Sequence, residues 1–300
     1  MNYSVVLVSY NSRETIGKAI CAAKLMFPAP NEIIVVDDAS VDQSQKIITE
    51  SLLGFNSSKF ISNEVNRGQS YSRNLGVMNS SHDFIIFMDD DDLSLRNRAE
   101  IHLNAFREGA EISYVSSVKK YSNGFSAEFV NSDFTSSSRD EINLIKYFIL
   151  GREFSQNLRL YSPSCSLAVN KKAFLRAGGF NIEMRRLEDI DFASKCLQLK
   201  LQIQWSSKTG VERQNTFADD KSPLANLLGE KQLLKNFKDI FEIKEYFIAY
   251  QMIKFRYAYF AKNFIWLVIN LPLIILILVF KPIKIKSILS RLNHDLKQKK

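Results

Sequence analysis

Phe84-Ile85-Ile86-Phe87-Met88-Asp89-Asp90-Asp91-Asp92 runs from five apolar residues straight into four aspartates. A short apolar run of this kind reads as a buried strand. Four carboxylates crowded at its end repel one another unless a cation offsets them, and hard divalent cations take such oxygen ligands. An open α/β sheet binds its ligands outside the carboxyl ends of its strands, which is where this cluster falls. An EF-hand loop starting at Asp89 would place Glu100 correctly, but Leu93 and Ser94 occupy the positions of a ligand and of the required glycine. A solvated acidic loop is the plainer alternative, and the surrounding sequence argues against it.

Working outward, strand and helix patterns alternate. Val5-Val6-Leu7-Val8 and Ile33-Ile34-Val35-Val36 are apolar, β-branched runs, and Lys59-Phe60-Ile61 is a shorter one. Between them, Ser12–Met26 places Ile16, Ala19, Ile20 and Ala23 on one helical face; Val41–Leu53, with Ser40 as its cap, and Gln69–Asn79 are helices too. The order βαβαβαβ predicts a doubly wound, mostly parallel sheet, whose strands are apolar throughout because both faces are covered. Ser113–Arg139 lacks periodicity and reads as loops and short strands over the site. Ala173–Phe180, closed by Gly178-Gly179, and Leu187–Leu199, opening on Glu188-Asp189, read as helices. Leu227–Ala261 reads as one basic, aromatic helical stretch.

Polar residues stand where the strands end. Ser9-Tyr10-Asn11 follows the first, Asp37-Asp38 the second and Asp89–Asp92 the fourth. In a parallel sheet these ends share one edge and so can share one ligand. The first βα turn lacks G-x-G-x-x-G, which argues against a dinucleotide seated on a helix N-terminus. A metal held by Asp89 and Asp91 could instead neutralise a diphosphate, with Asp37 accepting from a base and Tyr10 stacking on it.

These pieces, in order and spacing, resemble the family 2 glycosyltransferases, which have the GT-A fold. The resemblance covers roughly residues 1–217. It rests on Val8-Ser9-Tyr10-Asn11, Val35-Val36-Asp37-Asp38-Ala39-Ser40, Asn66-Arg67-Gly68 with Ser72-Arg73-Asn74-Leu75-Gly76, Phe87–Asp92, Gly178-Gly179-Phe180 and Leu187-Glu188-Asp189-Ile190-Asp191-Phe192. It implies a nucleotide-sugar donor, a UDP-sugar foremost, bound by Ser9, Tyr10, Asn11, Asp37, Asp38, Arg73, Asn74, Asp89 and Asp90. It implies a DxD pair, Asp91 as direct ligand of Mg²⁺ or Mn²⁺ and Asp89 between ribose and metal. Asp189 would be the general base, with Glu188 and Asp191 toward the acceptor. Two departures stand out: Lys195 holds a position often taken by Arg, and Val211-Glu212-Arg213-Gln214-Asn215 has the Arg but not the His of an Arg-x-His stretch. The third metal ligand is therefore unassigned.

Composition sets further bounds. Of 300 residues, 46% are hydrophobic, enough for a substantial core, and net charge is +8. Seven Lys or Arg against one Asp lie in 281–300, so much of the excess is a tail property directed at an anionic surface. No nucleic-acid module accompanies it. Cys21, Cys165 and Cys196 are scattered and odd in number, which reads as free thiols of a reducing compartment. The N-terminus runs directly into a strand without a signal-peptide pattern. Phe264–Phe280 is uncharged over seventeen residues, at the lower limit for a span, and is interrupted by Asn270 and Pro272. With Lys262 and Lys281 on its two flanks, a re-entrant hairpin is preferred to a single span. The expected organisation is a catalytic domain over 1–220, a basic and aromatic helical region over 221–263, a membrane segment over 264–280 and a basic tail over 281–300. The expected location is the cytoplasmic face of the inner membrane. The acceptor is expected to be a lipid-linked glycan of a bacterial envelope polysaccharide. Transfer to a polyprenyl phosphate and an inactive sugar-binding scaffold are the alternatives.

Overall fold

The structure is a computed structural model that describes residues 1–121, 123–136, 141–150, 158–214 and 222–269. The chain divides into two compact units, one of residues 1–141 and 157–218, the other of residues 142–156 and 219–300.

The first unit opens in the predicted order: β1 (Tyr3–Ser9), α1 (Ile16–Lys24), β2 (Glu32–Asp37), α2 (Ser44–Leu52), β3 (Ser58–Ser62), α3 (Gln69–Met78) and β4 (Phe84–Asp89), but α2 starts at Ser44 after Gln43, and the expected cap Ser40 donates its hydroxyl to Asp37 instead. These strands lie in the order β3-β2-β1-β4 and pair in parallel. β1 and β2 are buried along their whole lengths, which explains their unbroken apolar sequences. Register then decides where the polar ends meet: Ser9 pairs with Asp37, Asp37 with Ser62, and Val8 with Asp89.

Beyond β4 the sheet is mixed rather than mostly parallel. The elements are β5 (Asp92–Ser94), α4 (Arg98–Arg107), β6 (Ile112–Lys120), β7 (Ser126–Phe129), β8 (Phe134–Thr135), α5 (Glu141–Leu150), β9 (Leu167–Asn170), α6 (Lys171–Arg176), α7 (Glu188–Gln198) and β10 (Ile203–Gln214). β9 is wedged antiparallel between β4 and β6, whereas β6 and β10 are parallel. Of the expected loops and short strands of 113–139, β7 and β8 are short strands, but β6 is a nine-residue strand inside the sheet. Its serines hid it. Ser113, Ser116 and Ser117 are buried, and two of their hydroxyls have internal partners: Ser113 Oγ meets His102 Nδ1 at 2.9 Å, and Ser116 Oγ donates to the Ser206 carbonyl at 2.8 Å. A buried hydroxyl with a partner is tolerated, so polarity alone does not mark a loop.

In the second unit the expected helical stretch 227–261 is broken in two, α8 (Pro223–Asn236) and α9 (Ile243–Phe260), separated by a 3₁₀ turn at Lys238–Ile240. Local capping explains the break. Ser222 accepts the Ala225 amide ahead of Pro223, and Glu242 and Glu245 form a capping box that starts α9 afresh. Lys146 bridges Glu245 at 2.7 Å, which ties α5 to α9. α10 (Phe264–Ile269) follows, and the rest of the expected membrane segment, with the basic tail, lies outside the described residues. Among the described residues no helix is long and apolar enough to cross a membrane.

Candidate active site

Strained backbone marks the sheet edge where the polar ends converge. Asn11 after β1 (φ 48°), Ala39 after β2 (φ 65°) and Leu187 at the start of α7 (φ 63°) all adopt the left-handed region that disfavours non-glycine residues. Such residues persist only where surrounding contacts over-determine them, and they gather at functional sites.

Tyr10 is 49% exposed, its ring free to act as a platform, while its amide donates to Asp90 Oδ2 at 2.9 Å. Asn11 takes the Ser40 hydroxyl through its amide and accepts the Val41 amide, joining the β1 and β2 ends. Ser9 is buried against the Ser12 hydroxyl. Asp37 accepts the Ser40 amide and hydroxyl and the Gln45 side chain, so it is held rigidly at its strand end. Asp38 is placed in the scaffold. Its carboxylate accepts from Asn63 Nδ2, the Arg67 and Gly68 amides and the Ser72 hydroxyl, and thereby fixes the loop before α3. Asn74 is likewise a brace. Its amide side chain exchanges two hydrogen bonds with the Phe180 backbone, at 2.8 and 2.9 Å. A Cβ on Gly179 would meet Asn74 Oδ1 at 2.8 Å, which, with φ +66°, explains the glycine there.

Arg73 joins the two halves of the site. It is only 2% exposed, yet its guanidinium reaches Asp89 Oδ1 at 2.8 Å and Glu188 Oε1 at 2.9 Å, and lies over the Phe180 ring. Gln69 completes the cluster, accepting from Arg73 Nη2 at 3.1 Å and donating to Glu188 Oε1 at 2.6 Å. Burial alone would weaken the Arg73 charge, but Asp89 and Glu188 outweigh it and keep the guanidinium protonated. Beneath lies an aromatic cluster of Phe87, Phe174, Phe180 and Phe192, with centroids 5.0–5.7 Å apart, that seats α7 on β4.

The ED pair sits in the first turn of α7, where the helix dipole favours negative charge. Glu188 is pushed up to about 7 by burial and by Asp189, with Arg73 opposing. Asp189 is also raised by burial, against the Ile190 amide it accepts at 2.8 Å and the charges of Arg73, Arg186 and Arg213. Asp191 is fully buried and bridges Lys195 at 2.7 Å, so it braces the helix and does not face an acceptor.

Asp90 and Asp91 form the turn between β4 and β5. Asp90 is pushed up to about 7 by burial and by its acidic neighbours, against the Tyr10 amide. Asp92 reaches about 7 through burial and the charges of Asp89 and Asp91, opposed by Arg213, its partner in the β5–β10 register. Ligand atoms of Asp89, Asp92 and Cys165 all lie within 4.8 Å of one another. This excess of carboxylates over cations, rich in oxygen donors, fits a divalent cation. The sequence pattern assigns neither Asp92 nor Cys165 to the metal and gives Arg213 no place beside it. β10 extends through Arg213, which faces the aspartates. The signal available was the strict pairing of 92–94 with 211–213, which only the folded sheet displays. His102 does not join the cluster. It is buried and kept neutral by burial and by Arg98. All three cysteines are free.

Comparison with known proteins now bears on the site. Residues 4–174, more than half of the chain, match the model of the glycosyl transferase family 2. The chain belongs to that family. An uncharacterised glycosyltransferase of Haemophilus influenzae is 28% identical over 199 residues, covering 65% of this chain and 62% of that protein. The UDP-Glc:alpha-D-GlcNAc-diphosphoundecaprenol beta-1,3-glucosyltransferase WfgD of Escherichia coli is 31% identical over 103 residues, 34% of this chain and 39% of WfgD. The chain thus spans less than two thirds of these relatives' lengths. Among solved structures, Staphylococcus aureus TarS residues 1–349 superimposes with a TM-score of 0.60 at 18% identity, covering 88% of this chain and 73% of TarS 1–349. That likeness establishes the GT-A-like α/β fold with its mixed sheet.

Proposed function

We infer that the protein is an inverting glycosyltransferase that moves a sugar from a UDP-sugar to the hydroxyl of a lipid-linked glycan in bacterial envelope polysaccharide synthesis. The observation that carries this reading is Arg73, one buried cation shared by Asp89 of the acidic turn and Glu188 of the ED pair. It sets the donor's turn and the base helix side by side. The donor nucleotide rests on Tyr10 and Asp37 at the β1 and β2 ends. The acceptor hydroxyl gives its proton to Asp189 as its oxygen bonds to the anomeric carbon. The nucleoside diphosphate leaves from the opposite face, so configuration inverts, by the same one-base logic as inverting glycosidases. Burial, which raises Asp189, makes it a stronger base than a surface carboxylate. Asp91 and Asp89 would hold Mg²⁺ or Mn²⁺, which when bound supplies Lewis-acid stabilisation of the diphosphate. Support for the donor comes from TarS, which was crystallised with UDP and with UDP-GlcNAc. Support for the pathway comes from WfgD, named as a glucosyltransferase acting on a GlcNAc-diphosphoundecaprenol, and from the Staphylococcus epidermidis poly-beta-1,6-N-acetyl-D-glucosamine synthase.

The reading is tested by incubating purified protein with UDP-glucose, UDP-GlcNAc and other nucleotide sugars with and without Mn²⁺. Metal-dependent stabilisation of the fold by one of them is expected, about 2.7 kcal/mol at one hundred times the dissociation constant. Asp91→Ala is expected to abolish transfer and weaken metal-dependent nucleotide binding while the protein still melts cooperatively. Transfer by Asp91→Ala at the wild-type rate in EDTA would sink the metal assignment.

We also propose attachment to the cytoplasmic face of the inner membrane. What supports membrane attachment is that Ile265, Val268 and Ile269, at the start of the uncharged run, are each more than 70% exposed on α10. Membrane binding is expected to survive molar salt, because inserted apolar side chains are not screened as charges are. Fractionation of membranes in molar salt checks this, and release of the protein would make the attachment purely electrostatic. Removal of residues 263–300 is expected to leave nucleotide-sugar cleavage intact and to impair transfer to membrane-embedded acceptors.

A further inference from the structure

Two exposed arginines meet at the loop before α3, which is tied to the start of α7. Arg67 lies in the loop before α3, and Arg185 precedes α7 by three residues. Both are exposed. Among the described residues neither forms a salt bridge, which leaves both guanidinium groups available to an anion.

Both are nevertheless held in place. The Arg67 and Gly68 amides are bonded to Asp38 at 2.9 and 2.7 Å, and the Arg67 guanidinium stacks over the Tyr71 ring at 4.8 Å. Arg185 lies across Gly68, where a Cβ would come within 2.5 Å of its Nη1, and it donates to Asn66 Oδ1 at 3.4 Å. Glycine at 68 thus serves two needs, a φ of +88° and room for a guanidinium. The two loops are clasped by the Gln69–Glu188 hydrogen bond at 2.6 Å, one residue from Asp189. The next arginine, Arg186, adds a positive field felt at Asp189 itself.

A planar guanidinium matches phosphate oxygens bidentately and is more weakly hydrated than an ammonium, so pre-positioned arginines favour phosphate over other anions. The donor's diphosphate belongs at the acidic turn. The loop that carries Arg67 meets the ED pair through Gln69 and Glu188, and Arg185 precedes that pair by three residues, at the end of the site where the proposed base waits for its acceptor. We propose that Arg67 and Arg185 bind a phosphate or diphosphate group carried by the acceptor, holding its sugar hydroxyl at Asp189. The assignment rests on the transferase reading, but binding tests it separately from turnover.

The probes are decyl diphosphate and the neutral decyl β-glucoside, titrated by calorimetry into full-length protein saturated with UDP and Mg²⁺ so that the donor site is filled. Wild-type protein is expected to bind decyl diphosphate, and R67A/R185A to bind it roughly ten- to one-hundredfold more weakly. The glucoside should bind the two proteins equally. R67K/R185K should recover only part of the loss, because an ammonium lacks the fork. Equal binding of decyl diphosphate by wild type and R67A/R185A would overturn the proposal and move the contact to other basic residues. Equal weakening of both probes would overturn it too, as would weaker UDP binding by R67A/R185A, since the arginines would then serve the donor. If wild-type protein binds decyl diphosphate through these arginines yet cleaves no nucleotide sugar, the transferase reading fails and the phosphate site stands.

Discussion

Asp189→Asn is expected to bind nucleotide sugar and metal as tightly as the wild type while losing about 10²- to 10⁴-fold in turnover, the range set by loss of a general base. Asparagine keeps the shape and can still accept the Ile190 amide, which Asp189 now takes at 2.8 Å. It cannot take the acceptor's proton. The pH dependence adds a second, independent signature. A base works only when ionised, and burial raises Asp189 above the ordinary carboxylate range. Turnover should therefore fall as pH drops through that raised value, higher than an exposed aspartate would give, and should level off above it. Calorimetry for binding and a transfer assay across pH measure both. Near-normal turnover of Asp189→Asn would move the base to Glu188 or discard the one-base mechanism.

Much of this site is written in short, contiguous segments. The β1, β2 and β4 strands are unbroken apolar runs, so their polar ends were legible, and parallel register brings Ser9, Asp37 and Asp89 to one edge as the pattern predicts. What the sequence conceals is pairing between distant segments. β6 does not read as a long strand because of its serines, whose buried hydroxyls bond to His102 on α4 and to the Ser206 carbonyl on β10. Asp92 and Arg213 meet only when β5 pairs with β10, and Cys165 reaches Asp92 from the turn just before β9. The bracing bonds of Asp38 and Asn74 are hidden from the sequence for the same reason. Each lies in a motif that suggests ligand contact, yet each is consumed by backbone groups of other loops. A motif names the residues near a site, and only hydrogen-bond partners distinguish a contact from a brace.

Arg73→Met should unsettle the fold more than any other single change at the site. Methionine matches the length of the apolar stem but leaves Glu188, itself nearly fully buried, without its cation. Removing one partner of a buried ion pair typically costs about 3–5 kcal/mol, because the remaining charge stays desolvated. The loss should depend on pH, and its sign follows from proton linkage. Glu188 already binds its proton more tightly in the folded protein, at about 7, than an ordinary carboxylate does. Without Arg73, which lowers that value, the folded pKa rises further. Folded protein then holds more protons than unfolded protein between the ordinary carboxylate range and the raised value, so stability falls as pH rises through that window. The deficit of Arg73→Met should accordingly be largest above pH 8 and shrink on acidification toward pH 5. Arg73→Met/Glu188→Gln, which removes the charge as well as its partner, should recover much of the stability at pH 8 and should show little of the pH dependence. Denaturant melts of the three proteins at pH 5 and 8 decide it. A pH-independent deficit that the double variant fails to relieve would show that Arg73 acts by packing over Phe180, and that the link between acidic turn and base helix is not electrostatic.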